Sequence, residues 1–343
     1  MKHNYLGFWN KLKKPILVLA PMADVTDCAF RKIVNKYGKP DVFWTEFVSA
    51  DGLAHPIARK KLLIDLKYDK KEHPIIAQIF GSNIENIKKA SKLCKKLGFD
   101  GIDINMGCPD RSVEKQGAGA ALIKNPKLAR EIIRAVKVSV GKLPVLIKTR
   151  IGYNRNEIET WVRELLAEDI AVLVVHLRTR KELSNAKAHW ELMPRIVEIR
   201  NEMQKDTLII GNGDVIDINE AKKKCKETGC DGVMLGRAIF GNPWLFAKLK
   251  NFKDGRFHLK DGVMSKNCLV SQITKEKLKV LLEHTKLFEK MLGKHKNFAI
   301  MKKHYKAYVN EFKGAKELRM KLMEAENAKE VEKITNDFLS KLC

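Results

Sequence analysis

The segment Asn105-Met106-Gly107-Cys108-Pro109 brings together residue types suited to proton transfer. It lies where a run of alternating apolar and polar residues stops and a loop with Gly117 and Gly119 begins, so Cys108 reads as presented at a strand end rather than packed. Most cysteines are small apolar core residues, which is the plainer alternative. A thiol with an ordinary pKa of about 8.5 is largely protonated at neutral pH and serves as an acid where a free carboxylic acid would have lost its proton. Asn105 offers a donor and acceptors together, the set needed to read a carbonyl and an imide on one ring edge, as on uracil. Lys148 and His176 each end an apolar run, as does Gln78. Burying a lysine without a partner is costly, so donors at neighbouring strand ends suit an electron-rich isoalloxazine or a developing enolate, with a structural ion pair as the alternative. Gly211-Asn212-Gly213-Asp214 and Gly236-Arg237 supply turns where the backbone can approach a ligand closely, and an arginine able to clamp a phosphate.

Eight short β-rich runs would position these groups, each followed by helical spacing: Ile16–Ala20, Val42–Thr45, Ile75–Ile79, Gly101–Asn105, Val145–Lys148, Val172–His176, Leu208–Gly211 and Gly232–Gly236. Eight such units predict an α/β fold, a closed (β/α)8 TIM barrel, with chemistry at the carboxyl ends of the strands and a phosphate at the loops after strands seven and eight. An open dinucleotide-binding sheet would need a G-x-G-x-x-G turn after its first strand, and Pro21-Met22-Ala23-Asp24 has none. Residues 1–250 are therefore expected to form the catalytic barrel. Residues 251–343 are expected to form a linker, Asn251 to Gln272, and a small all-α bundle from Ile273 to Leu342. Between Lys290 and Asn310 there is no acid. There Lys294, Lys296, Lys302, Lys303 and Lys306 alternate with His295, Phe298, His304, Tyr305 and Tyr308, a mixture suited to RNA backbone and base stacking, or to a solvated helix face with its aromatic rings turned inward.

With 45% hydrophobic and 31% charged residues over 343 positions, the chain has enough apolar material for a core and is not of disordered type. Its 66 Lys and Arg outnumber 41 acids, and a formal charge of +25 attracts phosphate polyanions, nucleic acid first. The 7 cysteines are odd in number and include no C-x-x-C pair, so neither a disulfide framework nor a zinc ribbon is suggested and no metal is expected; a reducing cytoplasm fits best. No run of about 18 apolar residues exists, and Met1 to Pro15 lacks the core of a signal peptide, so no membrane partner is expected.

Together these segments resemble the tRNA-dihydrouridine synthase family from Ala20 almost to the C-terminus. The resemblance rests on Ala20-Pro21-Met22-Ala23-Asp24-Val25-Thr26-Asp27 with Phe30-Arg31, Thr45-Glu46, Gln78-Ile79-Phe80-Gly81, Asp103 to Pro109, Lys148-Thr149-Arg150-Ile151-Gly152, His176-Leu177-Arg178-Thr179-Arg180, Gly211 to Asp214, and Asp231 to Arg237. It implies FMN-dependent reduction of uridine to dihydrouridine in structured RNA, tRNA or else rRNA, with NADPH as electron source and a monomeric enzyme. It further implies FMN contacts from Pro21, Met22, Ala23, Gln78, Lys148, His176, Asn212, Gly213, Asp214, Gly236 and Arg237. Cys108 would give a proton to C5 after a hydride from reduced FMN reaches C6, and Asn105, Arg178, Lys302, Lys303 and Tyr305 would meet the RNA. The base would have to leave its stack to reach the ring. Asp24, the Ala238-Ile239-Phe240-Gly241 segment and His189 depart from the commonest family pattern and leave the subfamily, and hence the modified position, open. A flavin-dependent reductase of a free pyrimidine and an RNA-binding protein without catalysis are the competing readings.

Overall fold

The computed structural model describes residues 5–247, 252–253, 256–257 and 266–341. All eight expected strands are present: β1 (Ile16–Leu19), β2 (Phe43–Ser49), β3 (Ile75–Phe80), β4 (Gly101–Met106), β5 (Val145–Arg150), β6 (Val172–His176), β7 (Leu208–Asn212) and β8 (Gly232–Leu235). Every pairing between them is parallel, in the order β1-β8-β7-β6-β5-β4-β3-β2, and a parallel bridge from Val18 to Val42 closes the ring. The runs were visible because strands of a barrel are buried on both faces, by side chains inside and by helices outside. The helices that follow the strands along the chain are α1 (Cys28–Tyr37), α2 (Ala50–Ala54), α3 (Pro56–Leu62), α4 (Ile84–Lys96), α5 (Arg111–Glu114), α6 (Pro126–Val140), α7 (Ile158–Leu166), α8 (Met193–Glu202) and α9 (Ile218–Thr228), and those from α2 to α9 belong to the same compact unit as the barrel. Their limits are chemical: Asn83, Asn125 and Asp217 accept main-chain N–H groups at the starts of α4, α6 and α9.

β2 runs four residues beyond the expected Thr45. A register shift between Trp44 and Phe47 takes the polar pair Thr45-Glu46 inside, where Thr45 Oγ1 accepts the Gln78 N–H at 3.1 Å and donates to Glu46 O at 2.8 Å. Below the mouth, the barrel is filled by Ile16, Val18, Trp44, Ile76, Leu146, Val172, Val174, Ile210 and Met234. A turn of 3-10 helix, Gly7–Lys11, adds Trp9 to that core, with its ring 5.9 Å from Trp44.

The chain separates into two compact units, one of residues 1–22 and 40–236 and the other of residues 23–39 and 237–343. Thus α1 groups with the C-terminal helices α10 (Lys266–Leu292), α11 (Met301–Tyr308), α12 (Ala315–Glu324) and α13 (Ala328–Leu339), packing on α10. The stretch read as a linker includes a two-stranded ribbon, 252–253 with 256–257, and the first residues of α10, while 258–265 lie outside the described residues. The apolar period becomes visible only from Ile273, seven positions after the helix has begun. Among the described residues no helix is long and apolar enough to cross a membrane.

Candidate active site

Strand register decides which side chains share the barrel interior. Gln78 pairs with Asp103 across β3 and β4, and Asn105 with Lys148 across β4 and β5. Since residues two apart on a strand face the same way, Asp103 and Asn105 both point inward. A continuous chain of hydrogen bonds results. Trp44 Nε1 and Gln78 Nε2 donate to Asp103 Oδ2 at 2.8 and 2.7 Å, Asn105 Nδ2 donates to Gln78 Oε1 at 3.0 Å, and the N–H groups of Gly107 and Cys108 donate to Asn105 Oδ1 at 3.1 and 2.9 Å. Both lone pairs of the Asn105 carbonyl are thereby used. What Asn105 retains for a ligand is one amide hydrogen, so it can donate to a carbonyl but cannot also accept from an imide, a correction to the expectation from composition.

Cys108 is half-buried and packs with Phe47, Phe80, Val113 and Ala118, so it is less open than a strand-end position suggests. The loop with Gly117 and Gly119 folds back onto it. Ala120 N–H donates to Cys108 O at 2.9 Å, and a Cβ on Gly119 would sit 2.7 Å from that oxygen. On the other side a Cβ on Gly107 would meet the Thr149 backbone at 3.0 Å, which explains the glycine there. Arg150 straps the same loop: its Nε donates to Gly107 O at 2.8 Å and its Nη1 to Thr179 O and Leu183 O, both at 3.0 Å. Burial pushes the Cys108 thiol up from its ordinary value, against the nearby Lys148 and Arg150 charges, so the sulfur is protonated at neutral pH. Burial also takes Lys148 down to about 8, with Arg150 adding to the effect and Asp103 and Cys108 opposing it. It raises Asp103 to about 6 despite the Gln78 and Trp44 donors.

The next strand ends form a second cluster. Arg178, whose side chain is 3% exposed, donates from Nη2 to both carboxylate oxygens of Asp214 at 2.7 and 2.6 Å, from Nε to Ala186 O at 2.7 Å and from Nη1 toward His176 Nε2 at 3.1 Å. Because arginine only donates, His176 accepts at Nε2 in this contact and carries its proton on Nδ1. Asp214 also accepts the Ala188 N–H at 2.8 Å, and Asn212 Nδ2 donates to Met234 O at 2.8 Å. Gly213, with φ 132°, has no room for a side chain: a Cβ would lie 2.7 Å from Ala188 Cβ and 3.4 Å from the His176 ring. Gly236 stands beside Ala20 and Met22, while Ala23 and Arg237 belong to the other compact unit. Pro21 and Met22 are half-buried and Ala23 is exposed.

Within the helical unit, positions 301, 304, 305 and 308 form the inner face of α11, so the rings of His304, Tyr305 and Tyr308 are in the bundle interior and Lys303 and Lys306 are outside. Lys302 is half-buried, and Lys303 Nζ lies 3.3 Å from Asp24 Oδ2. Trp44, Asp103 and Arg150 were not singled out from the sequence. Two of them are polar or aromatic residues inside a strand pattern, a signal that register alone turns into a contact.

A family profile described as "Dihydrouridine synthase (Dus)" matches residues 18–342. The chain is 39% identical over 340 residues to a probable tRNA-dihydrouridine synthase of Staphylococcus aureus strain Mu50, covering 98% of this chain and 96% of that one. It is 39% identical over 334 residues to probable tRNA-dihydrouridine synthase 2 of Bacillus subtilis strain 168, covering 97% and 96%. Among solved structures, a 2-naphthoyl-CoA reductase complex superposes with a TM-score of 0.53 at 12% identity, over 71% of this chain and 50% of that one, a likeness of fold.

Proposed function

The chain belongs to the dihydrouridine synthase family of oxidoreductases, and from that premise we propose that it reduces uridine to 5,6-dihydrouridine in tRNA, with FMN held at the mouth of the barrel and NADPH as reductant. The observation that carries this reading is the polar chain from Trp44 through Asp103, Gln78 and Asn105 to the loop of Cys108, which holds a protonated thiol, packed among Phe47, Phe80, Val113 and Ala118, within the field of the Lys148 cation. The donor set suits a flavin: the Lys148 ammonium of β5 and the His176 imidazole of β6 stand on adjacent strands and the Gln78 amide of β3 two strands away, although Lys148 and Gln78 each lie two residues before the end of the strand they were expected to close. Pro21, Met22 and Ala23 would flank the cofactor, and Asn212, Gly213, Asp214, Gly236 and Arg237 would hold its ribityl chain and phosphate.

Bound there, reduced FMN would supply a hydride to C6 of the base. The protein's part is orientation, charge and one proton. Asn105 donates its free amide hydrogen to a uracil carbonyl. Lys148 and His176 offset negative charge as it develops, most effectively where water is excluded. Cys108 Sγ–H gives its proton to C5. Arg178, with four of its five N–H donors directed to Asp214, Ala186 and His176, acts by holding the His176 ring with Nε2 as acceptor. Residues 1–250 then serve as the catalytic domain and 251–343 as the RNA-binding domain, in which Lys302 and Lys303 meet phosphates while Tyr305 supports their helix from inside.

Replacement of Cys108 by Ala tests this. Dihydrouridine formation on a tRNA transcript should fall at least about 100-fold while flavin absorbance copurifies unchanged; an unaltered rate rules out Cys108 as the donor. Comparison of tRNA, rRNA fragments and free uridine identifies the substrate class. Equal rates on free uridine would favour a free-pyrimidine reductase instead.

A further inference from the structure

A close pair of thiols lies at the opposite end of the barrel strands from this site. Helix α9 ends at Thr228, Gly229 takes the left-handed conformation with φ 73°, and its N–H donates to Cys225 O at 2.9 Å. The turn sends the chain back over the last helical turn, and Cys230, at the entrance to β8, comes to rest with its Sγ 3.6 Å from Cys225 Sγ. Both are free thiols, and Cys225 is the more exposed of the two, Cys230 being 6% accessible. They are not equivalent. The Cys225 thiol hydrogen-bonded to it outweighs burial and, with the Thr228 hydroxyl and the main chain at Gly232 and Gly211, lowers Cys230 from its ordinary value. The same hydrogen bond together with burial pushes Cys225 up. The thiolate is the reacting form of a cysteine, so the pair holds one nucleophilic sulfur and one protonated neighbour within reach. Neither serves the reduction proposed above.

We propose that Cys225 and Cys230 form a hydroperoxide-reactive dithiol that closes to an intramolecular disulfide. The Cys230 thiolate attacks one oxygen of ROOH and breaks the O–O bond. It takes up OH, releases RO⁻, which is protonated to ROH, and is oxidised by two electrons to a sulfenic acid. Cys225 sulfur then attacks Cys230 sulfur. The S–S bond forms, and the sulfenic oxygen leaves as water with the Cys225 proton. Overall two thiols and one hydroperoxide give one disulfide, one alcohol and one water. A small neutral oxidant is required because Cys230 is nearly closed to solvent, whereas a disulfide oxidant would have to enter through Cys225, the poorer nucleophile. The thiol of Cys108, held protonated by burial, supplies an internal reference of lower reactivity.

The test uses the reduced full-length protein treated with increasing hydrogen peroxide, blocked with an alkylating agent and digested with trypsin without reductant. Cleavage at Lys224 and Lys226 places Cys225 in the dipeptide Cys225-Lys226 and Cys230 in Glu227 to Arg237, so the disulfide appears as two peptides joined by mass. The joined pair should form before Cys108 is consumed. In Cys225→Ser, dimedone should trap a sulfenic acid on Cys230. In Cys230→Ser, Cys225 should remain a thiol under the same exposure. Consumption of Cys108 with no joined pair, or dimedone labelling of Cys225 in Cys230→Ser as fast as that of Cys230 in Cys225→Ser, overturns the proposal. So does oxidised glutathione closing the pair faster than peroxide.

Discussion

Asp103 touches neither of the groups proposed to meet the base, yet it sets the direction of the chain that presents them. An ionised carboxylate only accepts, so Gln78 must turn its nitrogen toward Asp103 and its oxygen toward Asn105, and Asn105 in turn must give its oxygen to the Cys108 loop. Asp103→Asn keeps an acceptor for Trp44 and Gln78 and loses the charge; Asp103→Leu loses both. In flavin-loaded protein near pH 6.5, we expect Asp103→Asn to stay within about threefold of the parent kcat and Asp103→Leu to lose about tenfold or more, because catalysis is sensitive to small displacements of the reacting groups. Equal losses in the two variants would show that charge, not orientation, is what matters. The pH profile adds a second readout. With Lys148 at about 8, kcat/KM should fall as pH rises through that value and the ammonium is lost. Asp103 opposes that loss, so Asp103→Asn should move the alkaline limb to lower pH. Asn105 and Cys108 were legible in the sequence because they flank a strand end rich in glycine. Asp103 was not, because a polar residue at an alternating position reads equally well as solvent-facing until its partner strand is known.

Helices α10 and α11 contribute a pair of histidines with no stated use. His284 and His304 are buried with ring centroids 4.5 Å apart, packed against Phe30 of α1 and Tyr308, and all four ring nitrogens lack hydrogen-bond partners among the described residues. Burial takes His304 down to about 3, with Lys303 adding to the effect, and holds His284 well below its ordinary value. In the unfolded chain both would titrate near 6.5, so the folded state binds fewer protons, and stability present above that pH is lost as pH falls through it. Each such group contributes a slope of up to roughly 1.4 kcal/mol per pH unit wherever it is protonated in the unfolded chain and neutral in the folded one. Thermal unfolding of the helical unit followed by circular dichroism should show this, and His304→Phe should about halve the slope; a pH-independent midpoint below about pH 6 would contradict it. At this scale the strands were the most readable elements, since apolar runs need no partner to be recognised. The start of α10 was less so, because its first turns show no apolar period.

A net charge of +25 acts over the molecule as a whole and makes the RNA affinity salt-dependent through counterion release. For tRNA, log K should fall steeply and linearly with log salt. Lys302→Glu with Lys303→Glu should weaken binding by about tenfold or more and flatten the slope by about two, one for each phosphate contact removed, while flavin content stays constant. A slope unchanged in the double variant would move the RNA contact elsewhere. The sequence alone determined the number and order of the strands, the parallel barrel they form and the motif that carries Cys108, because burial on both faces and glycine-bearing turns leave their marks within a few consecutive residues. Only the tertiary structure decided that α1 packs with the C-terminal helices, that Tyr305 faces inward, that Arg178 is committed to Asp214 and His176, and that Asn105 has a donor and no acceptor left. Each of these depends on which distant residue fills a neighbouring position, and a hydrogen-bonding group is defined by the partner that has already taken it.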